Sequence, residues 1–211
     1  MRPHRFRLLV LAFASLLGYA SASSSTARDS SLAGVPTEAI WRVQQFDFHF
    51  RAERGRYYSC SALHDKISNI MEAVGAGSVV VTIACEPNSL VDNTSARIVT
   101  ATPMQATPEN VQAATTFDTE RQMVARLRET RLPTPETIEH FPAEWREISV
   151  TKINGVRVGP EDCELLEDLH KQVLPHMPSI RIVRAKFRCG NSELRAARPI
   201  LVVEALVRRL S

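Results

Sequence analysis

The sequence predicts an α+β fold made of two tandem β-α-β-β units, each carrying one disulfide, packed together with pseudo-twofold symmetry. Three observations lead there. Cys60 and Cys85 lie 25 residues apart, and Cys163 and Cys189 lie 26 apart. The only two tryptophans, Trp41 and Trp145, stand 19 and 18 residues ahead of the first cysteine of each pair, so the three landmarks repeat at offsets of 104, 103 and 104. Regularity of that kind signals internal duplication. The composition, 44% hydrophobic and 23% charged over 211 residues, is that of a globular chain long enough to bury a core, and it excludes disorder, collagen and a multi-pass membrane protein.

The elements follow in order. Arg2, Arg5 and Arg7 precede an apolar run from Leu8 to Leu17, and Ala20-Ser21-Ala22 has the small-x-small form of a cleavage site, so residues 1–22 read as a secretory signal peptide. The run is too short for a membrane span, which takes about 20 residues, and no later stretch is long enough either. Cleavage after Ala22 removes three arginines and no acids. That leaves 23 bases against 23 acids, so the formal charge of +3 belongs to the leader and general attraction to nucleic acid loses its basis. Residues 23–40, rich in Ser, Thr and Ala, read as a flexible lead-in.

The first unit spans residues 41–103. Phe46 to Phe50 alternates strictly and predicts a strand with three phenylalanines on one face. Leu63, Ile70, Met71 and Val74 recur at helical spacing, with Gly75 as the stop. Ser78–Cys85 and Arg97–Thr102 then read as strands. The second unit, residues 145–211, repeats the pattern: a strand over Glu147–Thr151, helical spacing at Leu166, Val173, Leu174 and Met177, and strands over Ile180–Cys189 and Pro199–Val207. Pro175 and Pro178 predict a truncated last helical turn. Asp65 and Asp168 occupy matching helix positions. Two three-stranded sheets cannot each bury both faces, so the units are expected to pack on one another. Between them, residues 104–144 form a Pro-rich linker with one short charged helix over Thr119–Arg131, started by a capping box of Thr119 and Gln122.

An even number of cysteines in an exported chain favours disulfides, and no Cys-x-x-Cys is present to suggest zinc or thiol redox chemistry. Path length selects among the three possible pairings. A helix over residues 61–74 rises about 20 Å, and the strand that follows returns about as far, which brings Cys85 back beside Cys60 and, by the same reasoning, Cys189 beside Cys163.

The stretch Tyr57-Tyr-Ser-Cys-Ser-Ala-Leu-His-Asp-Lys66, with Ala73-Val-Gly-Ala76 and the later Gly159-Pro-Glu-Asp-Cys-Glu-Leu-Leu166, resembles a family of short exported proteobacterial proteins to which no activity is assigned. The likeness covers both units and skips the linker. It implies a periplasmic address and nothing about chemistry.

Catalytic motifs are lacking: there is no Gly-x-Ser-x-Gly, His-Glu-x-x-His, Gly-x-Gly-x-x-Gly or P-loop. His64 and Asp65 are adjacent on a helix, face different directions and make a poor dyad. Asp47 and His49 share one strand face but find no third ligand at matching spacing, so no metal is expected, and no cofactor. One stretch stands out. In Val183-Arg-Ala-Lys-Phe-Arg188, Arg184, Lys186 and Arg188 alternate with Val183, Ala185 and Phe187, which lines three cations along one strand face about 7 Å apart. The matching strand of the first unit carries Val80, Thr82 and Ala84 there. Two accounts compete: pairing with acids such as Glu204 on the neighbouring strand, or a site for an anionic partner. The reading that follows is an exported, disulfide-stabilised, non-catalytic binding or assembly module of the bacterial envelope, periplasmic or extracellular, whose partner is a protein or an anionic envelope component rather than nucleic acid. The alternative is a secreted hydrolase with its site between the units.

Overall fold

The computed structural model describes residues 34–52, 57–86, 88–152, 158–189 and 198–209. The signal peptide assigned to residues 1–22, the lead-in up to residue 33 and the turn Gly190-Asn-Ser fall outside the described residues. In chain order the elements are β1 (Thr37–Arg51), β2 (Tyr58–Ser59), α1 (Cys60–Ala73), β3 (Ser78–Ile83), β4 (Leu90–Val91), β5 (Asn93–Gln105), α2 (Pro108–Thr115), α3 (Thr119–Leu127), β6 (His140–Ser149), α4 (Cys163–Gln172), β7 (Ile180–Lys186) and β8 (Ile200–Arg208). Short 3₁₀ turns cover Val150–Lys152, Pro160–Asp162 and Leu174–His176.

The long strands form one six-stranded antiparallel sheet in the order β3-β5-β1-β6-β8-β7, and β2 pairs separately with β4. This corrects the expectation of two three-stranded sheets packed on each other: they join edge to edge instead. β1 begins at Thr37 and β6 at His140, each ahead of its tryptophan, and the added residues make the junction over four pairs from Thr37↔Ala143 to Ile40↔His140. Joining consumes two strand edges whose N–H and C=O groups would otherwise need partners.

Beyond Ile40, β1 leaves β6, and its edge is met by side chains from α4. The Gln172 carboxamide accepts from the His49 amide at 2.9 Å and donates to the His49 carbonyl at 2.8 Å, the two-point pattern a neighbouring strand would offer. One turn earlier on α4, Asp168 accepts from the Arg51 amide. α4 thereby braces a strand more than a hundred residues away in sequence.

The main core draws on both helices and both ends of the sheet: Phe48 and Phe50 of β1, Leu63, Ile67 and Ile70 of α1, Ile98 of β5, Leu165, Leu166 and Leu169 of α4, and Leu201 and Val203 of β8. All eight residues picked out by helical spacing are buried. Ser59 caps α1 through the Ala62 amide. Gly75 ends it at φ +97°, where a Cβ would lie 2.9 Å from a Val207 methyl. α4 gives way to the 3₁₀ turn at Leu174, whose next residue, Pro175, has no amide to continue the helix. On the opposite sheet face a smaller cluster holds Ala39, Phe141, Ala143, Trp145 and Leu206 with Trp41 against it.

Disulfides join Cys60 to Cys85 and Cys163 to Cys189, with Cα separations of 6.1 and 5.4 Å. Three local expectations need correction. The linker holds two helices; α2 buries none of its residues and so shows no apolar period. The cap of α3 is Asp118, accepting from the Arg121 amide at 2.7 Å, while Gln122 turns to the Phe117 carbonyl, so the box of Thr119 and Gln122 does not form. The strand placed at Glu147–Thr151 ends at Ser149 and turns into 3₁₀ helix.

Candidate functional site

β7 is an outer strand of the sheet and, among the described residues, pairs with β8. β8 turns Leu201, Val203 and Ala205 into the core, and the residues opposite them, Ala185, Ile182 and Ile180, stand on that same sheet face, where Ile180 is buried while Ala185 and Ile182 remain exposed on the outer strand. Opposite Ile200, Val202 and Glu204 stand Lys186, Arg184 and Arg181, which share the other face. Both halves of β7 obey this rule only because the register shifts between Ile182 and Arg184, leaving Val183 as an unpaired bulge residue with 55% of its surface exposed. Uninterrupted alternation would have placed Arg184 on the same sheet face as Ile182, the face that β8 packs against the core. The bulge re-aims the strand's basic end outward. The sequence reading grouped Val183 with Ala185 and Phe187 as one alternating set; the register shift takes Val183 out of it.

Arg184, Lys186 and Arg188 are exposed. Glu204, the acid expected to neutralise them, is engaged elsewhere: it lies 3.6 Å from Arg181, whose guanidinium also sits over the Trp145 ring at 4.3 Å. No ion pair reaches Arg184, Lys186 or Arg188 among the described residues. Past the last strand pair, Lys186, Arg188, Arg198 and Ile200 line a concavity of about 100 Å³. Its floor is held from the core side. Phe187 packs into the main core beside His170, with ring centroids 5.3 Å apart, and Cys189 is bonded to Cys163 at the start of α4.

Arg198 escaped the sequence reading because it lies outside the alternating run, just before Pro199. The one signal that could have found it is the hairpin register, which carries the residues before β8 alongside those after β7.

A second group was also missed. Asp162 is fully buried at the entry to α4. It accepts from the Tyr58 hydroxyl at 2.7 Å and the Gly159 amide at 2.8 Å, and forms an ion pair with Lys66 of α1. Tyr58, Lys66, Gly159 and Asp162 all come from the stretches that carry the family resemblance. With three donors on one carboxylate, the cluster reads as a tie between the helices.

The remaining candidates are dispersed. His64 Nδ1 and Asp65 Oδ1 do meet, at 3.1 Å, contrary to the expectation that they diverge, but on an exposed helix surface. Asp47 lies 3.7 Å from Arg97. His49 Nδ1 is 3.2 Å from Ser95 Oγ at the wall of a larger concavity of about 520 Å³ that also touches Thr82, Arg97 and Gln172. No group of three or more potential metal ligands occurs among the described residues. No protein-family model, curated protein or solved structure matches the chain significantly.

Proposed function

We propose that the chain is an exported, disulfide-stabilised binding module of the bacterial envelope, acting without catalysis and taking an anionic partner on the basic edge formed by Arg184, Lys186 and Arg188. Two disulfides fit an oxidising compartment, and no helix among the described residues is long and apolar enough to cross a membrane. The single observation that carries the reading is the row of cations left without acidic partners among the described residues, although Glu204 stands on the adjacent strand. Cations about 7 Å apart lie within one Debye length, about 8 Å at physiological salt, so their fields add locally even where net charge is small.

We also read the chain as a tandem duplication. The strand order is the same from either end once β6, β7 and β8 are set against β1, β3 and β5, and this supports a pseudo-twofold axis at the β1–β6 junction. Trp41 opposite Pro103 and Trp145 opposite Leu206 hold corresponding register positions.

The test is reversal of Arg184, Lys186 and Arg188 to Glu together. Retention on anionic envelope material falls in a salt-dependent way while the melting temperature stays close to that of the parent, because the core face of β7 is untouched. Unchanged retention contradicts the site. The alternative is a hydrolase with its site between the units; the His49–Ser95 contact, whose nearby Asp47 pairs with Arg97 rather than the imidazole, lies within the first unit and does not supply that site.

A further inference from the structure

We infer that the concavity where β7 and β8 end is a phosphate pocket, in which Lys186, Arg188 and Arg198 enclose one phosphate group, free or as a monoester. The inference deepens the anionic-partner reading and rests on it, but it names a smaller site, a ligand chemistry and a residue outside the alternating row. Three features converge.

The first is charge. Among the described residues, the lining consists of three cations and Ile200, with no acid. Like charges brought together on neighbouring strands cost about 0.2–1 kcal/mol per pair. Two described acids on neighbouring elements are committed elsewhere: Glu204 to Arg181, and Glu167 on α4 to Lys171 at 2.7 Å. A multiply charged anion offsets the mutual repulsion of these three cations.

The second is size. A concavity of about 100 Å³ is well below the 300 Å³ or more of typical organic-ligand pockets. It suits a compact tetrahedral group and leaves any attached sugar, glycerol or chain outside. Two guanidinium forks with one ammonium match the several oxygens and double charge of a phosphate monoester better than the single charge of a carboxylate.

The third is preorganisation. Arg188 is flanked by Phe187, which is anchored in the core, and by Cys189, which is bonded to Cys163. Arg198 precedes Pro199, whose fixed φ restricts the chain entering β8. Backbones held in this way lose little freedom when the anion arrives.

The experiment is a calorimetric titration of the oxidised chain with inorganic phosphate, set against acetate. Arg198→Gln and Arg184→Gln each remove one cation from the same edge, but only the first lines the pocket. Phosphate binds more tightly than acetate, Arg198→Gln weakens it about tenfold or more through loss of a charge-assisted contact, and Arg184→Gln weakens it less than about threefold. Phosphate also raises the melting temperature of the parent and of Arg184→Gln more than that of Arg198→Gln, a readout that a mere loss of fold would not produce. Pelleting with phosphatidylcholine vesicles containing phosphatidic acid, competed by inorganic phosphate, identifies a lipid headgroup as the source; phosphate binding without pelleting identifies a soluble phosphate, and the pocket stands in both cases. Equal losses from the two variants, or phosphate no tighter than acetate, overturn the pocket while leaving a general anionic edge. Absence of binding to phosphate and to anionic vesicles alike overturns both readings.

Discussion

β3 and β7 hold corresponding places as the outer strands at the two ends of one sheet. β3 runs in unbroken register with β5 from Ser78 to Ile83 and has no charged residue; Val80 is 57% exposed. β7 is interrupted by a bulge at Val183 and carries Arg181, Arg184 and Lys186. Charge on an outer strand commonly serves to discourage edge-to-edge association. That explanation would apply equally to β3, which has none. The cations of β7 are therefore not a general requirement of this sheet's edges, and their cause is local to the second half of the chain.

The helices differ in a parallel way. α4 reaches across to brace β1 through Gln172 and Asp168, whereas Asp65, which like Asp168 stands five residues after a cysteine, meets its neighbour His64 in solvent. The second half thus supports the first without a matching return from this position.

The disulfides sharpen the comparison most. Their loops of 25 and 26 residues are nearly equal, so the chain-entropy model assigns each about 3–3.5 kcal/mol, and Cys60→Ser with Cys85→Ser should lower stability about as much as Cys163→Ser with Cys189→Ser. Chemical denaturation measures this. Only the second pair should also weaken anion binding, because Cys189 adjoins Arg188. Equal effects on binding would mean that the two ends of the sheet are not functionally distinct.

A smaller effect separates the helices. Gln172→Ala removes two hydrogen bonds and leaves the His49 backbone at a strand edge, for an expected loss of about 1–2 kcal/mol. Asp65→Ala, exposed and locally paired, should change stability by less than about 0.5 kcal/mol. Matched losses in urea melts would break the asymmetry.

The parts legible in the sequence are those governed by short-range periodicity. α1 and α4 announce themselves because one helix face must be apolar, and Leu63, Ile70, Leu166 and Val173 are all buried. The disulfide pairs follow from the rise of a helix and the return of a strand. What was hidden depends on encounters between distant segments. Nothing near Ile40 or His140 announces that they pair, and the Gln172 contact to His49 has no local pattern at all. The burial of Asp162 depends on Tyr58 and Lys66, about a hundred residues earlier. In the candidate site, the row at Arg184, Lys186 and Arg188 could be seen as alternation. The bulge could not, because Ile182-Val183-Arg184 has no glycine or proline to mark it. Arg198 enters only through the hairpin register.

The central claim is that anion recognition belongs to the β7 end of the sheet and not to sheet edges in general. The most direct measurement is a nuclear magnetic resonance titration of the oxidised, isotope-labelled chain with inorganic phosphate, following the backbone amides of both outer strands and the arginine side-chain Nε–H signals. The account predicts shifts at Lys186, Arg188 and Arg198 that fade as salt rises, with Ser78–Ile83 unmoved. Shifts at β3 of equal size, or none at either strand, would contradict it.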